Sequence, residues 1–323
     1  MNKNFYDDKT EILTNKGFKL FPNLAHDDKI AQYHNDGSVN FIYPISIFSD
    51  NYNGDMFHFI SCQRSYVDIL VSPTQEMVTS HKKKEVLTFE AKENKYSDNY
   101  YAITCGKSIQ NFKDFSDLDR LKIAFQADGS FASHKEDYDG SRAGGTPIRF
   151  SLKRDRKKKR LESILNSLNF KYTKAEEKGR DGYNRYWISG MNGFLKDFSW
   201  IDLDKISCEW GMQFLEELKY WDGSDYKNRN VFGYCSTNKK CIDKVQEIAA
   251  ISGYKSHVSI NIDKRKNRLP LFRIILSPNK QLICGSGINY KIEKYIGKVY
   301  SVLTETKKII LKSSNRTLVC SSN

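Results

Sequence analysis

Two stretches of the chain end an apolar-striped helix on the same acidic turn, Leu121-Lys-Ile-Ala-Phe-Gln-Ala-Asp128-Gly129-Ser130 and Phe214-Leu-Glu-Glu-Leu-Lys-Tyr-Trp-Asp222-Gly223-Ser224. Writing this pattern twice commits the chain to a duplicated unit, in which each helix delivers one carboxylate to an equivalent place. Two such helices side by side would bring Asp128 and Asp222 together at their C-terminal ends. Paired carboxylates in that position suit a divalent metal used in phosphodiester chemistry.

The Asp-Gly dipeptide alone carries little, because Asp36-Gly37, Asp139-Gly140 and Asp181-Gly182 read as ordinary turns. The helix in front carries the information. Leu118, Leu121, Ala124 and Phe125 fall on one stripe before Asp128, with Ser116 or Asp117 to cap the start. Trp210, Phe214, Leu218 and Trp221 do the same before Asp222. Gly129 and Gly223 are expected to be the left-handed residues that stop each helix. An acid at a helix C-terminus costs about 0.3–1 kcal/mol against the macrodipole. A bound cation would reverse that sign.

The order after each turn repeats. Asp128 is followed by a predicted strand over 147–152, a helix with Leu161, Ile164, Leu165 and Leu168, and strands near 170–173 and 183–189. Asp222 is followed by a predicted strand over 231–236, a helix with Ile242, Val245, Ile248 and Ala249, and strands over 255–262 and 269–277. Asn169 and Gly253 fit the two helix C-caps.

The formal net charge of +13 and a pI of about 9.2 give a field that attracts polyanions. The charge is clustered at Lys153-Arg-Asp-Arg-Lys-Lys-Lys-Arg160 in one repeat and at Lys264, Arg265, Lys266 and Arg268 in the other. Recurrence in both repeats points to phosphate contacts. Binding to duplex DNA should then weaken with salt, with a log–log slope of roughly −0.9 per phosphate neutralised.

Phe125-Gln-Ala-Asp-Gly-Ser-Phe131, with small Ala124 and Ala127, resembles the motif of the LAGLIDADG homing endonucleases in their two-motif, single-chain form; the second copy departs from it at Tyr220 and Trp221. The resemblance implies a monomeric endonuclease that cuts an asymmetric double-stranded DNA site with Mg²⁺ held by Asp128 and Asp222. It also implies a catalytic lysine in each half. Lys196 occupies the matching place in the first, and Lys291 is the nearest in the second, with Lys280 and Lys294 as rivals. Each half would lay a sheet along the major groove. The implied contacts are Arg149, Ser151, Lys153, Arg154, Arg156, Lys157 and Lys158 in one half, and Lys255, His257, Ser259, Lys264, Arg265, Lys266 and Arg268 in the other.

The outer segments have a different pattern. Residues 8–18 and 30–41 read as hairpins; with Tyr66–Gln75 and 297–323 they resemble the Hint module of inteins. The expected fold class is α+β. A LAGLIDADG-type core of two pseudo-symmetric αββαββ halves spans 107–295 (about 107–208 and 209–295), and an all-β Hint-like domain is formed by 1–106 and 296–323. Splicing needs a nucleophile where Asn4 stands, a His where Gln75 stands and a His where Ser322 precedes Asn323. With all three replaced, the module is expected not to splice. A chain from Met1 to Asn323 would fit a free-standing endonuclease.

Hydrophobic residues make up 39% and aromatics 13% of 323 residues, enough for packed cores. No apolar run approaches membrane length and no signal peptide is visible, so an intracellular, cytoplasmic protein of a bacterium or virus-infected bacterial cell is expected. The seven Cys include no Cys-x-x-Cys pair and the six His show no metal spacing, which favours Mg²⁺ on carboxylates over zinc. Two other readings are open, an active intein and a cleavage-inactive nucleic-acid binder such as a maturase or repressor.

Overall fold

The computed structural model describes residues 4–61, 67–131, 146–226, 231–262, 265, 269–278 and 281–323. It is an α+β structure with many strands and four α-helices among the described residues. The chain forms two compact units. One comprises residues 114–201 and 213–224; the other comprises 1–113, 202–212 and 225–323. No helix is long and apolar enough to cross a membrane.

In the smaller unit, helix α1 (Asp117–Asp128) starts on a capping box. The Ser116 hydroxyl accepts from Asp119 N, and the Asp119 carboxylate accepts from Ser116 N at 3.0 Å. Leu121, Ala124 and Phe125 of the expected stripe are buried, together with Ile123, whereas Leu118 is 37% exposed. Leu118 lies in the first turn of the helix. Strands Gly129–Phe131 and Thr146–Leu152 follow, then helix α2 (Asp155–Ser167) and strands Tyr172–Glu176 and Asn184–Met191. Asn169, with φ 53°, is the left-handed residue just past α2.

The four strands make an antiparallel sheet in the order 129–131, 146–152, 184–191, 172–176. Register pairs such as Ile148 with Ile188 and Phe150 with Tyr186 put the buried side chains on one face. The alternate pairs, Arg149 with Trp187 and Ser151 with Arg185, therefore lie on the other.

The same order recurs after helix α3 (Cys208–Asp222): strands Ser224–Tyr226 and Val231–Ser236, helix α4 (Lys239–Ile251), and strands Tyr254–Asn261 and Leu271–Pro278. The sheet order recurs too, as 224–226, 231–236, 271–278, 254–261. Trp210, Phe214, Leu218 and Trp221 of the second stripe are all buried. Gly253, with φ 75°, ends this repeat's second helix as Asn169 does in the first.

The larger unit also contains three further sheets built from both ends of the chain. The expected hairpins are present as Glu11–Thr14 with Gly17–Leu20 and Ile30–Tyr33 with Ser38–Ile42. Strand Glu11–Thr14 pairs with Lys308–Ser313 from the far end, with Ile12 opposite Leu311. Strands Ser46–Ser61 and Ile288–Leu303 pair along their whole length. Tyr6, Ile12, Phe59, Val71, Val302 and Leu311 share the core beneath them.

The expected role of Gly129 and Gly223 is corrected by the backbone. Gly129 is extended, with φ −83° and ψ 164°, and Gly223 is absent from the left-handed glycines. Each helix runs straight into a strand, so no left-handed reversal is needed. What requires glycine is close approach. A Cβ on Gly129 would lie 2.8 Å from Phe125 Cα and from its carbonyl oxygen, and one on Gly223 would lie 2.5 Å from Lys219 Cα and 2.7 Å from its oxygen. Backbone cannot move aside as a side-chain tip can. Gly129→Ala and Gly223→Ala are therefore each expected to lose about 1–3 kcal/mol of stability, read as a lower urea midpoint at unchanged slope.

Candidate metal centre

Asp128 closes α1 and Asp222 closes α3, and both belong to the smaller unit. Their side chains are 27% and 33% exposed. One ammonium joins them: Lys157 Nζ donates to Asp128 Oδ2 and lies 3.7 Å from Asp222 Oδ1. The structure thus gathers both acids of the duplicated motif around a single cation supplied by α2. Burial raises the Asp222 carboxyl above its ordinary pKa, and the Asp128 charge raises it further; Lys157 and then Lys196 oppose the shift. Two carboxylates that share one counter-ion resist both being ionised, which is the direction of the Asp222 shift.

Lys196 lies at the end of α1. Its Nζ donates to the carbonyls of Phe125 at 2.8 Å, Gln126 at 2.6 Å and Gly129 at 2.8 Å. The Gln126 carbonyl belongs to the last turn, where a helix end leaves carbonyls without intrahelical partners, while Phe125 O also accepts from Gly129 N. Lys196 therefore offsets the negative end of α1, where Asp128 would otherwise be disfavoured.

Lys157 was expected among the phosphate contacts and is instead the bridge between the two acids. It precedes Leu161, Ile164 and Leu165 at helical spacing, on the buried face of α2. Its side chain is 11% exposed, and the Trp221 ring centroid lies 5.7 Å from its Nζ. Trp221 is held in turn by Glu217, which accepts from its indole N–H at 2.9 Å. Glu217 also takes Arg160 Nε at 3.1 Å and stands 3.5 Å from Arg120 Nε. The large residues Tyr220 and Trp221 thus have partners of their own, with Arg156 stacked 4.9 Å from the Tyr220 centroid.

An open cavity of about 550 Å³ lies over the two acids, and Ser151, Lys153, Arg154, Arg180 and Tyr183 also line it. The basic rim continues onto the outer face of the sheet. There Arg149 donates to the Ser130 hydroxyl at 2.9 Å, and Arg180 stacks on Tyr183 with its guanidinium carbon 3.8 Å from the centroid. Glu177 organises this face. The Ser151 hydroxyl and Arg185 hold its carboxyl down to about 2, and Arg185 donates to it at 2.5 Å. Sequence reasoning missed Arg180, Tyr183, Arg185 and Trp187; the alternation of Arg185 and Trp187 along one strand was the available signal. Lys158 donates to the Gly182 carbonyl at 2.9 Å.

In the second repeat, Lys255, His257 and Ser259 alternate along one face of their strand as expected, and all three are half-buried. Burial, then Arg316 and Lys255, pushes the His257 imidazole down to about 4, so it is neutral near pH 7. Arg265 is exposed, whereas Lys264, Lys266 and Arg268 lie outside the described residues. Lys291 is the lysine expected to serve the second half. It sits in strand Ile288–Leu303 of the larger unit, opposite His58, with its Nζ 2.6 Å from Glu293. Of its rivals, Lys294 pairs with Asp55 at 2.8 Å and Lys280 lies outside the described residues. The pairing that builds the long 46–61/288–303 ribbon takes this stretch for itself.

The residues singled out for splicing also meet, within the larger unit. Asn4 N donates to Asn323 Oδ1 at 2.8 Å and Asn4 Nδ2 to Ser322 O at 3.0 Å. Buried Gln75 donates to Tyr6 Oη at 2.9 Å and to Ser321 O at 3.0 Å. These contacts join the two ends of the chain by hydrogen bonds between neutral groups.

No protein-family model matches the chain. The ribonucleoside-diphosphate reductase subunit beta of Aquifex aeolicus is 28% identical over 338 residues, covering 94% of this chain and 48% of that protein. The chain thus spans about half the length of this curated relative. Among solved structures, a splice-inactive variant of the AceL NrdHF class 3 split intein aligns over 99% of this chain and 98% of its own, at TM-score 0.41 and 9% identity. The homing endonuclease I-DmoI, in complex with DNA and Mn, aligns over 51% of this chain and 91% of its own, at TM-score 0.34 and 17% identity.

Proposed function

We propose that the chain is a site-specific, metal-dependent endonuclease of double-stranded DNA. The observation that carries this reading is the meeting of Asp128 and Asp222, from equivalent ends of two helices in a repeated αββαββ order, around a single ammonium. A pure nucleic-acid binder gains nothing from carboxylates beside a basic cavity, because they repel phosphate.

The donors fit a hard cation. Among the described residues no group of three or more His, Cys, Asp or Glu could hold a metal. Mg²⁺ commonly uses one or two carboxylates and completes its shell with water and substrate phosphates. Held by Asp128 and Asp222, it would polarise the scissile phosphate and acidify a bound water. Lys153, Arg154 and Arg180 at the cavity rim are placed to orient the backbone, and Arg149, Arg185 and Trp187 on the outer face to meet base edges. Because the two repeats differ in sequence and lie on one chain, a monomer acting on an asymmetric site follows.

The test is selection of bound duplexes from a random library. One long site without internal two-fold symmetry is expected, with affinity falling steeply as salt rises. A palindromic site, or no sequence preference, would count against the reading.

The remaining sheets fit a Hint-like module built from both ends of the chain, with strands Leu282–Cys284 and Ile288–Leu303 paired into it ahead of the expected boundary at 296. The ends of the chain pair in one sheet, which is the layout of a module inserted into a host protein. We read the likeness to half of a reductase subunit as a likeness to such a module, not to a reductase fold. Asn4 and Gln75 offer neither a nucleophile nor a proton shuttle. The chain placed between two reporter segments is expected to give no ligated product, and a ligated band would restore the active-intein reading.

A further inference from the structure

The cation bridging the two acids comes from the protein itself. Lys157 Nζ donates to Asp128, stands 3.7 Å from Asp222 and is backed by the Trp221 ring at 5.7 Å. Its side chain is 11% exposed and rises from the buried face of α2. An ammonium held on three sides in this way takes up the same carboxylate oxygens that a divalent cation needs. The nearby Lys196 donates to three backbone carbonyls.

We propose that Lys157 is a built-in counter-ion that competes with the divalent cation for Asp128 and Asp222 and keeps the centre closed to metal until DNA arrives. The proposal rests on the reading of these two acids as metal ligands. In the free protein the ammonium offsets one of the two negative charges, so a metal must displace it at the cost of that ion pair. A phosphodiester entering the basic cavity offers the ammonium another anion. Its departure then leaves both carboxylates to the metal, so duplex and metal bind with positive coupling. Lys157 is here a positioning residue that acts through the ligands.

The experiment is titration of Mn²⁺ into the full chain, followed by electron paramagnetic resonance, with and without a short random duplex. Lys157→Met keeps the stem over Trp221 and removes the charge; it is expected to bind Mn²⁺ at least about tenfold more tightly without DNA. Lys157→Arg keeps the charge and should stay as weak as wild type. Wild type should gain affinity when duplex is added, and Lys157→Met should gain less. Wild-type or weaker affinity in a folded Lys157→Met protein would overturn the proposal, as would equal gains with duplex. Asp128→Asn separates the two ideas. If it weakens Mn²⁺ binding while Lys157→Met changes nothing, only the counter-ion role fails; if Asp128→Asn leaves Mn²⁺ binding intact, the acids are not the ligands and the functional reading fails with it.

Discussion

Asp128→Asn is expected to lower the single-turnover cleavage rate at saturating Mg²⁺ by at least about 100-fold, while DNA affinity stays equal or rises slightly. The size follows from the chemistry. A metal at a phosphoryl centre supplies several kcal/mol of charge stabilisation, and each 1.36 kcal/mol is a factor of ten in rate. The change is nearly isosteric and, among the described residues, removes one of the two carboxylates that line the cavity. It should not unfold the unit, since α1 keeps its capping box, its buried stripe and the Lys196 cap on its last carbonyls. Affinity should hold because the arginines of the rim and outer face are untouched and one repulsive charge is gone. Gel-shift and cleavage measurements on the same preparation check both halves, and unchanged cleavage would remove Asp128 from the mechanism.

Glu217→Ala is expected to cost about 3 kcal/mol of stability. Glu217 is 4% exposed in its side chain. It accepts from Arg160 and Trp221 and faces Arg120, so it ties α1, α2 and α3 together. Removing one partner of a buried ion pair costs about 3–5 kcal/mol, because the charge left behind has lost both water and partner. The lower end applies here, since Arg160 remains about a third exposed and can rehydrate. Glu217→Gln keeps an acceptor for the Trp221 indole and should lose less. Urea unfolding of the two variants orders them, and equal stability of Glu217→Ala and wild type would show that this hub does not hold the helices.

Much of this architecture could be read from residue patterns. The Ser116 cap, both apolar stripes, the repeated order of elements and the terminal hairpins all depend on local spacing, which a sequence displays directly. The proximity of Asp128 and Asp222 was inferred from duplication alone. What escaped was long-range or masked. Lys157 stands in a run of eight residues of which seven are basic; that run suggests a solvated face and hides the i, i+4 relation to Leu161 that turns this one lysine inward. Gly129 and Gly223 look like helix stops because glycine commonly ends helices, and only the direct helix-to-strand passage shows that they serve close approach. Lys291 was placed by counting along the chain, whereas strand pairing across more than two hundred positions, with His58, decides where it lies. Lys196 was singled out in sequence as a catalytic lysine, and its ammonium donates to three backbone carbonyls.

Cleavage of a selected duplex site, with Mg²⁺ and with EDTA, tests the central claim most directly. The account predicts a double-strand cut at one position that vanishes in EDTA and returns when Mg²⁺ is added back. Tight, salt-sensitive binding to the same duplex with no metal-dependent cut would contradict it and leave a DNA-binding protein whose two acids serve no cleavage.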